Sequence, residues 1–571
     1  MPPPHWALLE RELLRAGASA CREYFDRYFD ERGYLRCVER WGGDDGPDDA
    51  IECLSDWPVL YALGASEEVR RLYEKGWEGH LRQYTEARTV VVPFAREGMY
   101  YKEFPVMFDW VHHGEGLSVF NLQGLADPTD PRYRQRVRRF AAFYTGEDPG
   151  APNYDPAHKI IRSLFNGSRG PLLREAEPVE WAGDPIEVEG RFRPRHGERN
   201  YKEMLDHFKD YRRIVGDHPQ NLSATTLALN AFMATGDPKY RAWLLEYVDA
   251  WRHRMLENGG IIPTNIGLDG AIGGGSDGKW YGGVYGWGFS PVEPQSGRVV
   301  HRNTHYLALH GFGNAFLLTG DVRYVDVWRR QIEAVNAHKK AEAGRVLYPH
   351  MHGDEGWYDY TTAPYSHGAF EVYYWSMRQE DRDRLPSTGW LAFLEGRAPG
   401  YPEEALGRDF ATIRQRVAAS RRDDSTPDTR LADDPLGFNP ATVGTLVNLM
   451  LGGLTPKHQG EPLHARVRYF DPEAKRPGLP PDVAALVERL SADETTLILV
   501  NLDPSNPRTV DVQAGAYGEH QFSRVAHAGR TVSIGGPVSR VRLEPGCGGR
   551  IVLTMKRYNN PPTLSRPWDR E

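Results

Sequence analysis

Apolar positions recur every three to four residues through two stretches of the chain that also match each other. Residues 223–251 read SATTLALNAFMATGDPKYRAWLLEYVDAW, and residues 304–335 read THYLALHGFGNAFLLTGDVRYVDVWRRQIEAV. Each reads as an apolar helix, a Thr-Gly-Asp turn, two further residues, a tyrosine and a second, amphipathic helix. Gly236 and Gly320 suit a left-handed helix end, and Asp237 and Asp321 suit the cap of the helix that follows. The pattern therefore predicts helical hairpins. Weaker copies lie upstream: Gly64 stands where Gly236 stands, and Asp130-Pro-Arg-Tyr133 matches Asp237-Pro-Lys-Tyr240. Further helices are expected after His367 and after Pro440.

No single hairpin can bury its apolar face alone, so such units stack. The connecting loops are long and unequal, which favours a closed (α/α)-toroid with function on one rim over an open solenoid. From about residue 463 the pattern changes to short β-branched runs bounded by turn residues. Examples are Thr495–Val500, Arg508–Gln513 and Arg550–Thr554, which read as strands. The expected architecture is mainly α plus β: an α/α-toroid over residues 1–455, then a small antiparallel β-sheet or sandwich domain with a tail over 456–571. A chain of 571 residues is too long for one compact core, in keeping with that division.

Composition removes several function classes. The net charge is −8 and no Lys/Arg-rich run occurs, which argues against a phosphate-tracking nucleic-acid surface. Mean hydropathy is −0.59, and no apolar run approaches the roughly 20 residues of a membrane span. The N-terminal MPPPHWALLERELL lacks the basic and apolar segments of a secretion signal, so a cytoplasmic location is expected. Cys21, Cys37, Cys53 and Cys547 show no CxxC spacing and read as reduced structural thiols. What stands out is 15 Trp, 29 Tyr, 20 His and 59 Gly.

The repeat offsets say where part of that excess falls. They align Asp45, Asp48 and Asp49 with Asp217, His218 and Asn221, and with His301, Asn303 and His305; His112, His113 and Glu115 lie at a similar place. In a ring of hairpins these positions share one rim. Helix starts there offer free N–H groups and favour anions. Alternatively, each acidic residue is simply a cap, and each lone histidine a packing residue. The loop at 259–300 combines many glycines with Asp277, Trp280, Tyr281, Tyr285 and Trp287, and residues 348–360 bring His350, His352, Asp354 and Tyr358. Aromatic faces interleaved with polar groups suit the C–H faces and hydroxyls of sugars, with bracing of long loops as the alternative. His350, His352 and Asp354 also form a minor candidate for a divalent metal. Otherwise no cofactor is expected.

The layout resembles that of carbohydrate-active enzymes with an α/α-toroid followed by a β-sheet domain, among them many polysaccharide lyases and several glycoside hydrolase families. Asn303-Thr-His305-Tyr306 at a helix start looks like the Asn/His pair of toroid uronate lyases. That resemblance implies that Asn neutralises the uronate carboxylate, His or Tyr takes the C5 proton, and Tyr protonates the leaving oxygen. The expected function is therefore β-elimination on a uronate-containing poly- or oligosaccharide. Asn303 with Arg302 or Arg298 would neutralise, His305 or His218 act as base, and Tyr281 or Tyr285 as acid. His113, Glu115, Asn221, Asp277, Trp280, Trp287, His301, Arg302, His352, Asp354 and Tyr358 would bind substrate. The alternative is an inverting glycoside hydrolase using two carboxyls from Asp45, Asp49, Glu115, Asp217, Asp277 and Asp354. A non-catalytic glycan-binding scaffold is the third reading. A carbohydrate is the expected partner, nucleic acid and membrane are not, and an oligomer is compatible with the sequence.

Overall fold

The computed structural model describes residues 3–38, 46–87, 93–176, 214–282, 287 and 305–570. Its helices are α1 (His5–Tyr28), α2 (Pro47–Glu52), α3 (Trp57–Leu63), α4 (Glu67–Glu86), α5 (Trp110–Ala126), α6 (Pro131–Ala142), α7 (Thr225–Thr235) and α8 (Pro238–Glu257). Then follow α9 (Ala308–Thr319), α10 (Arg323–Ala337), α11 (Ala369–Ser376), α12 (Gln379–Arg382), α13 (Gly389–Leu394), α14 (Tyr401–Arg422) and α15 (Gly444–Leu451).

The hairpins form as their turns dictate. Gly236 and Gly320 end α7 and α9 with φ of 71° and 66°. Asp237 and Asp130 cap α8 and α6, each accepting a backbone N–H two residues on. Asp321 likewise accepts from Arg323 N at 3.0 Å. Helices α3, α5, α7 and α9 lie side by side; α3, α7 and α9 each pack on the second helix of their hairpin, and Phe120 of α5 meets Phe140 of α6 at 4.7 Å. These inner helices are apolar on most sides, which fits a helix surrounded by neighbours. Every residue of α3 is buried. The first and last helices also meet, α1 on α14 and α15 on α3.

Short antiparallel hairpins decorate the loops: β1 (Tyr100–Tyr101) with β2 (Phe104–Pro105), β3 (Tyr154–Asp155) with β4 (Ile160–Ile161), β5 (Lys340–Glu342) with β6 (Arg345–Leu347), and β7 (Met351–Gly353) with β8 (Gly356–Tyr358). The C-terminal strands are β9 (Val467–Asp471), β10 (Arg476–Pro477), β11 (Val483–Leu490), β12 (Glu494–Asn501), β13 (Arg508–Ala514), β14 (Gln521–His527), β15 (Arg530–Gly536), β16 (Val538–Leu543) and β17 (Gly548–Lys556). They form two antiparallel sheets, ordered β10-β9-β13-β16 and β11-β12-β17-β14-β15. The three segments that read as strands fall in β12, β13 and β17. In β12 the residues Thr495, Leu497 and Leu499 alternate inward, the period of a half-buried strand.

One continuous apolar core joins helices and sheets. Glu10 of α1 accepts the Ala485 N–H of β11 at 3.0 Å, and Tyr469 of β9 donates to the Met450 carbonyl of α15 at 2.7 Å. The C-terminal tail returns to the helices, where Leu564 N donates to Met233 O at 3.0 Å. All four cysteines are free thiols, Cys21 and Cys53 buried and Cys547 exposed. Among the described residues no helix is long and apolar enough to cross a membrane.

Candidate active site

Helices α2 and α5 start at the same end of the molecule and pack together, with Gly116 against Asp48. Pro47 opens α2 at its first position and places Asp48 and Asp49 in the first turn. Asp109 caps α5, its Oδ1 accepting from Val111 N at 2.8 Å and lying 3.0 Å from His112 Nδ1. The other ring nitrogen of His112 is 3.9 Å from Asp48 Oδ2. Burial alone would push the His112 ring down, but Asp109, Asp48 and Glu115 outweigh it and hold the ring well above its ordinary value.

The carboxyls around this ring crowd one another. Burial raises Glu115 well above the usual range; His112 opposes the shift, while Asp48 and Glu52 add to it. Asp49 is raised by burial and then by Asp48 and Glu115. Glu52 is pushed up to about 7 by burial, with Asp48 and Asp433 adding and His458 opposing. Carboxyls that cannot all ionise together share protons and titrate as a group. Such a group can offer both a proton donor and a proton acceptor.

A loop that follows α15 crosses these helix starts. Lys457 Nζ is 2.9 Å from Glu371 of α11, His458 Nε2 is 3.4 Å from Asp56 at the start of α3, and Glu461 Oε1 is 2.7 Å from His310 Nε2 of α9. Tyr306 OH donates to Gln459 Oε1 at 3.3 Å. The loop backbone lies on α5 at Gly114, where a Cβ would meet Gln459 O at 2.7 Å. Only glycine permits that approach.

Beside the loop stands an aromatic wall. His305 is 1% exposed; its Nε2 is 2.9 Å from Tyr365 OH, and Trp287 lies over its ring at 4.5 Å. His367 stacks on Tyr306 at 5.9 Å. Trp287 meets Trp357, and His352 sits among Trp280, Tyr281 and Trp357 at 4.7–4.9 Å. Tyr281 OH donates to Asp354 Oδ1 at 2.9 Å, and Lys279 pairs with the same carboxylate. Tyr358 pairs with Met351 across the β7–β8 hairpin.

Thus Asp48, Asp49 and Glu115 come together, and Trp280, Tyr281, His352, Asp354 and Tyr358 are half-buried or exposed around the β7–β8 hairpin, whereas Trp287 and His305 are buried in the packing. Four more residues expected at the rim are likewise built into the packing. Asp217 is fully buried and accepts from Tyr247 OH, Asn221 Nδ2, Ile161 N and His218 N. Asn221 is fully buried and bridges Asp217 to Asn166. His113 is fully buried, bonded through Nε2 to Asn166 O at 2.8 Å, and burial pushes it down to about 4. His218 is buried and lowered to about 4 as well. Asp277 is exposed on the Gly-rich loop with φ of 54°. His350 bonds Thr361 and Ala363, whereas His352 and Asp354 face other partners, so the three do not converge on a metal. Among the described residues no cluster of three or more His, Cys, Asp or Glu could hold one. Asp45, Tyr285, Arg298, His301, Arg302 and Asn303 lie outside the described residues. Sequence reasoning missed Glu52, Tyr365, Lys457, His458 and Glu461. Glu52 could have been found, since it follows Asp48 by one helical turn.

Fold and site define a protein of helical hairpins and paired antiparallel sheets with a crowded carboxyl cluster at its helix starts. The chain belongs to the family described as a domain of unknown function (DUF8034), which it matches over residues 1–389. No curated protein matches it. Among solved structures it is similar to a cellobiose 2-epimerase from Bacillus thermoamylovorans, at 11% identity and a TM-score of 0.20, over 59% of this chain and 87% of that one. It is similar to a GH127 β-L-arabinofuranosidase from Geobacillus stearothermophilus, at 11% identity and a TM-score of 0.26, over 95% and 75% of the two chains. A further GH127 β-arabinofuranosidase matches at 11% identity and a TM-score of 0.25, over 97% and 82%. At these TM-scores the likenesses define neither fold nor chemistry for the present chain.

Proposed function

We propose that the chain is a carbohydrate-processing enzyme whose hairpins close into an α/α-toroid and whose chemistry is carboxyl acid–base catalysis at the helix starts. The observation that carries this reading is the crowding of Asp48, Asp49, Glu52 and Glu115 around His112. Glycosidic hydrolysis needs one carboxyl protonated on the leaving oxygen and a second ionised, either behind a water or as a nucleophile. Glu115 is partly exposed and raised, which suits the acid. Loss of the shared proton from Asp49 or Glu52 leaves the base. The half-buried rings of Trp280, Tyr281, Tyr306 and Trp357 suit sugar faces, and the contacts of α1 with α14 and of α15 with α3 support ring closure.

β-Elimination is the second reading, favoured by the bonded pair His305–Tyr365. Its proposed neutralisers, Asn303 and Arg302, lie outside the described residues. Incubation with neutral and uronate oligosaccharides separates the two. New reducing ends without ultraviolet absorbance support hydrolysis. A product absorbing in the short ultraviolet, from its C4–C5 double bond, would replace that reading with elimination. No product from either class would overturn both.

A further inference from the structure

At the far end of α3 from Asp56, a pocket of about 250 Å³ opens between α1 and the turn into α4. It owes nothing to the carboxyl cluster. Arg11, Arg15 and Arg22 line it from α1, with Gly64, Ser66 and Glu68 opposite. The spacing of these arginines puts them on one helix face.

Arg11 is 4% exposed, yet its Nε and Nη1 have no hydrogen-bond partner among the described residues. Burial lowers it to about 10; Glu10 and Asp482 favour its charge, and Arg15 and Arg476 oppose it. A buried guanidinium with idle donors is costly unless something accepts from them. Its neighbours are already engaged. Arg15 pairs with Glu12 and lies 3.8 Å from Asp482, Arg22 Nε bonds Glu68 at 2.7 Å, and Arg476 bonds the Ala65 carbonyl at 2.6 Å.

Helix α4, whose N-cap Ser66 makes no side-chain capping bond, already carries Glu67 and Glu68 in its first turn, so carboxylates complement the positive end of its dipole. At Gly64, with φ of 120°, a Cβ would come within 3.4 Å of Arg11 Nη1 and 2.9 Å of Leu479 O. Glycine there lets the Leu479 backbone pack against the turn.

We propose that this pocket binds a phosphate group, free or carried as a small monoester. Arg11 anchors it by its fork of donors, Arg15 and Arg22 cover it, and Glu68 competes for Arg22. The test is calorimetric titration of the full chain with inorganic phosphate and with glycerol 3-phosphate, at matched ionic strength. The expected result is saturable 1:1 binding, weakened about tenfold in Arg15→Gln and in Arg22→Gln and tightened in Glu68→Gln. Arg15 and Arg22 are more than half exposed, so their variants fold even if Arg11→Gln does not. Tighter binding of the ester than of free phosphate identifies a phosphomonoester site, and equal binding a site for the free ion. Binding that does not saturate, or that ignores both exposed arginine variants, would overturn the proposal.

Discussion

Nε2 of His112 lies 3.9 Å from Oδ2 of Asp48, so one imidazole joins the starts of α5 and α2. The ring opposes the upward shift of Asp48, Asp49 and Glu115, and joins His458 in opposing that of Glu52. Replacing it by a neutral group leaves the carboxyls against one another. In His112→Gln the pH window of activity should move alkaline by about one unit. A pH profile of turnover on whichever glycan is cleaved checks this. An unmoved profile would mean that His112 does not set the protonation of the site.

Glu115→Gln removes the proposed proton donor and one of the crowded acids together. Turnover should fall by about 10²–10⁴-fold, while the melting temperature holds or rises because like-charge crowding is relieved. Turnover equal to the parent would take Glu115 out of the chemistry.

Asp217 illustrates how a residue read as a cap differs from one. A cap satisfies one or two backbone donors, as Asp237 does for Lys239 N, and asparagine serves there nearly as well. Asp237→Asn should therefore be almost silent. Asp217 instead accepts from four different groups in full burial. Asparagine would turn an NH2 towards one or more of those donors, at a cost of roughly 1–3 kcal/mol. Equal melting of Asp217→Asn and the parent would reduce it to an ordinary cap.

Local rules made the fold readable. Thr-Gly-Asp fixes a left-handed helix end and a new cap within three residues, and β-branched alternation marks the strands, so hairpins and sheets follow from short-range chemistry. The rim was readable only where a repeat copy carried it. The offsets pick out Asp48 and Asp49, the Glu115 hairpin brings His112 and Glu115 to a similar place, and His112 reaches Asp48. Sequence position alone does not tell a residue facing the cleft from one facing the next helix, and Asp217, Asn221, His113 and His218 prove to face the packing. Lys457, His458 and Glu461 sit on a loop with no copy elsewhere, and their partners Glu371, Asp56 and His310 come from three separate hairpins. No short-range pattern announces such a crossing.

The two best-matched turns should differ in tolerance. Gly236 and Gly320 share a left-handed φ, so alanine strains either by about 1 kcal/mol. At Gly236 a Cβ meets nothing within 4 Å, whereas at Gly320 it would meet Tyr558 Cβ at 2.9 Å. Gly320→Ala should cost about 1–3 kcal/mol more than Gly236→Ala in urea unfolding. Equal losses would show that the residue at 558 moves aside freely.

Glu10 joins the helices to the sheets from full burial, and burial pushes its carboxyl up to about 8 from an ordinary 4.5. Below 4.5 the folded and unfolded chains both hold that proton. Between 4.5 and 8 only the folded chain does, so stability from this group drains away as pH rises through that window and is gone above 8. Glutamine keeps a neutral oxygen for the Ala485 N–H and carries no such dependence. Glu52 and Glu519, both raised to about 7, act in the same direction but are common to both chains and cancel in the difference. The gap in melting temperature between Glu10→Gln and the parent should therefore widen in favour of the variant from pH 5 to pH 9. Its free-energy limit is on the order of 4 kcal/mol. A gap that stays constant with pH would mean that Glu10 is already ionised in the folded chain, with Arg11 as its counter-charge.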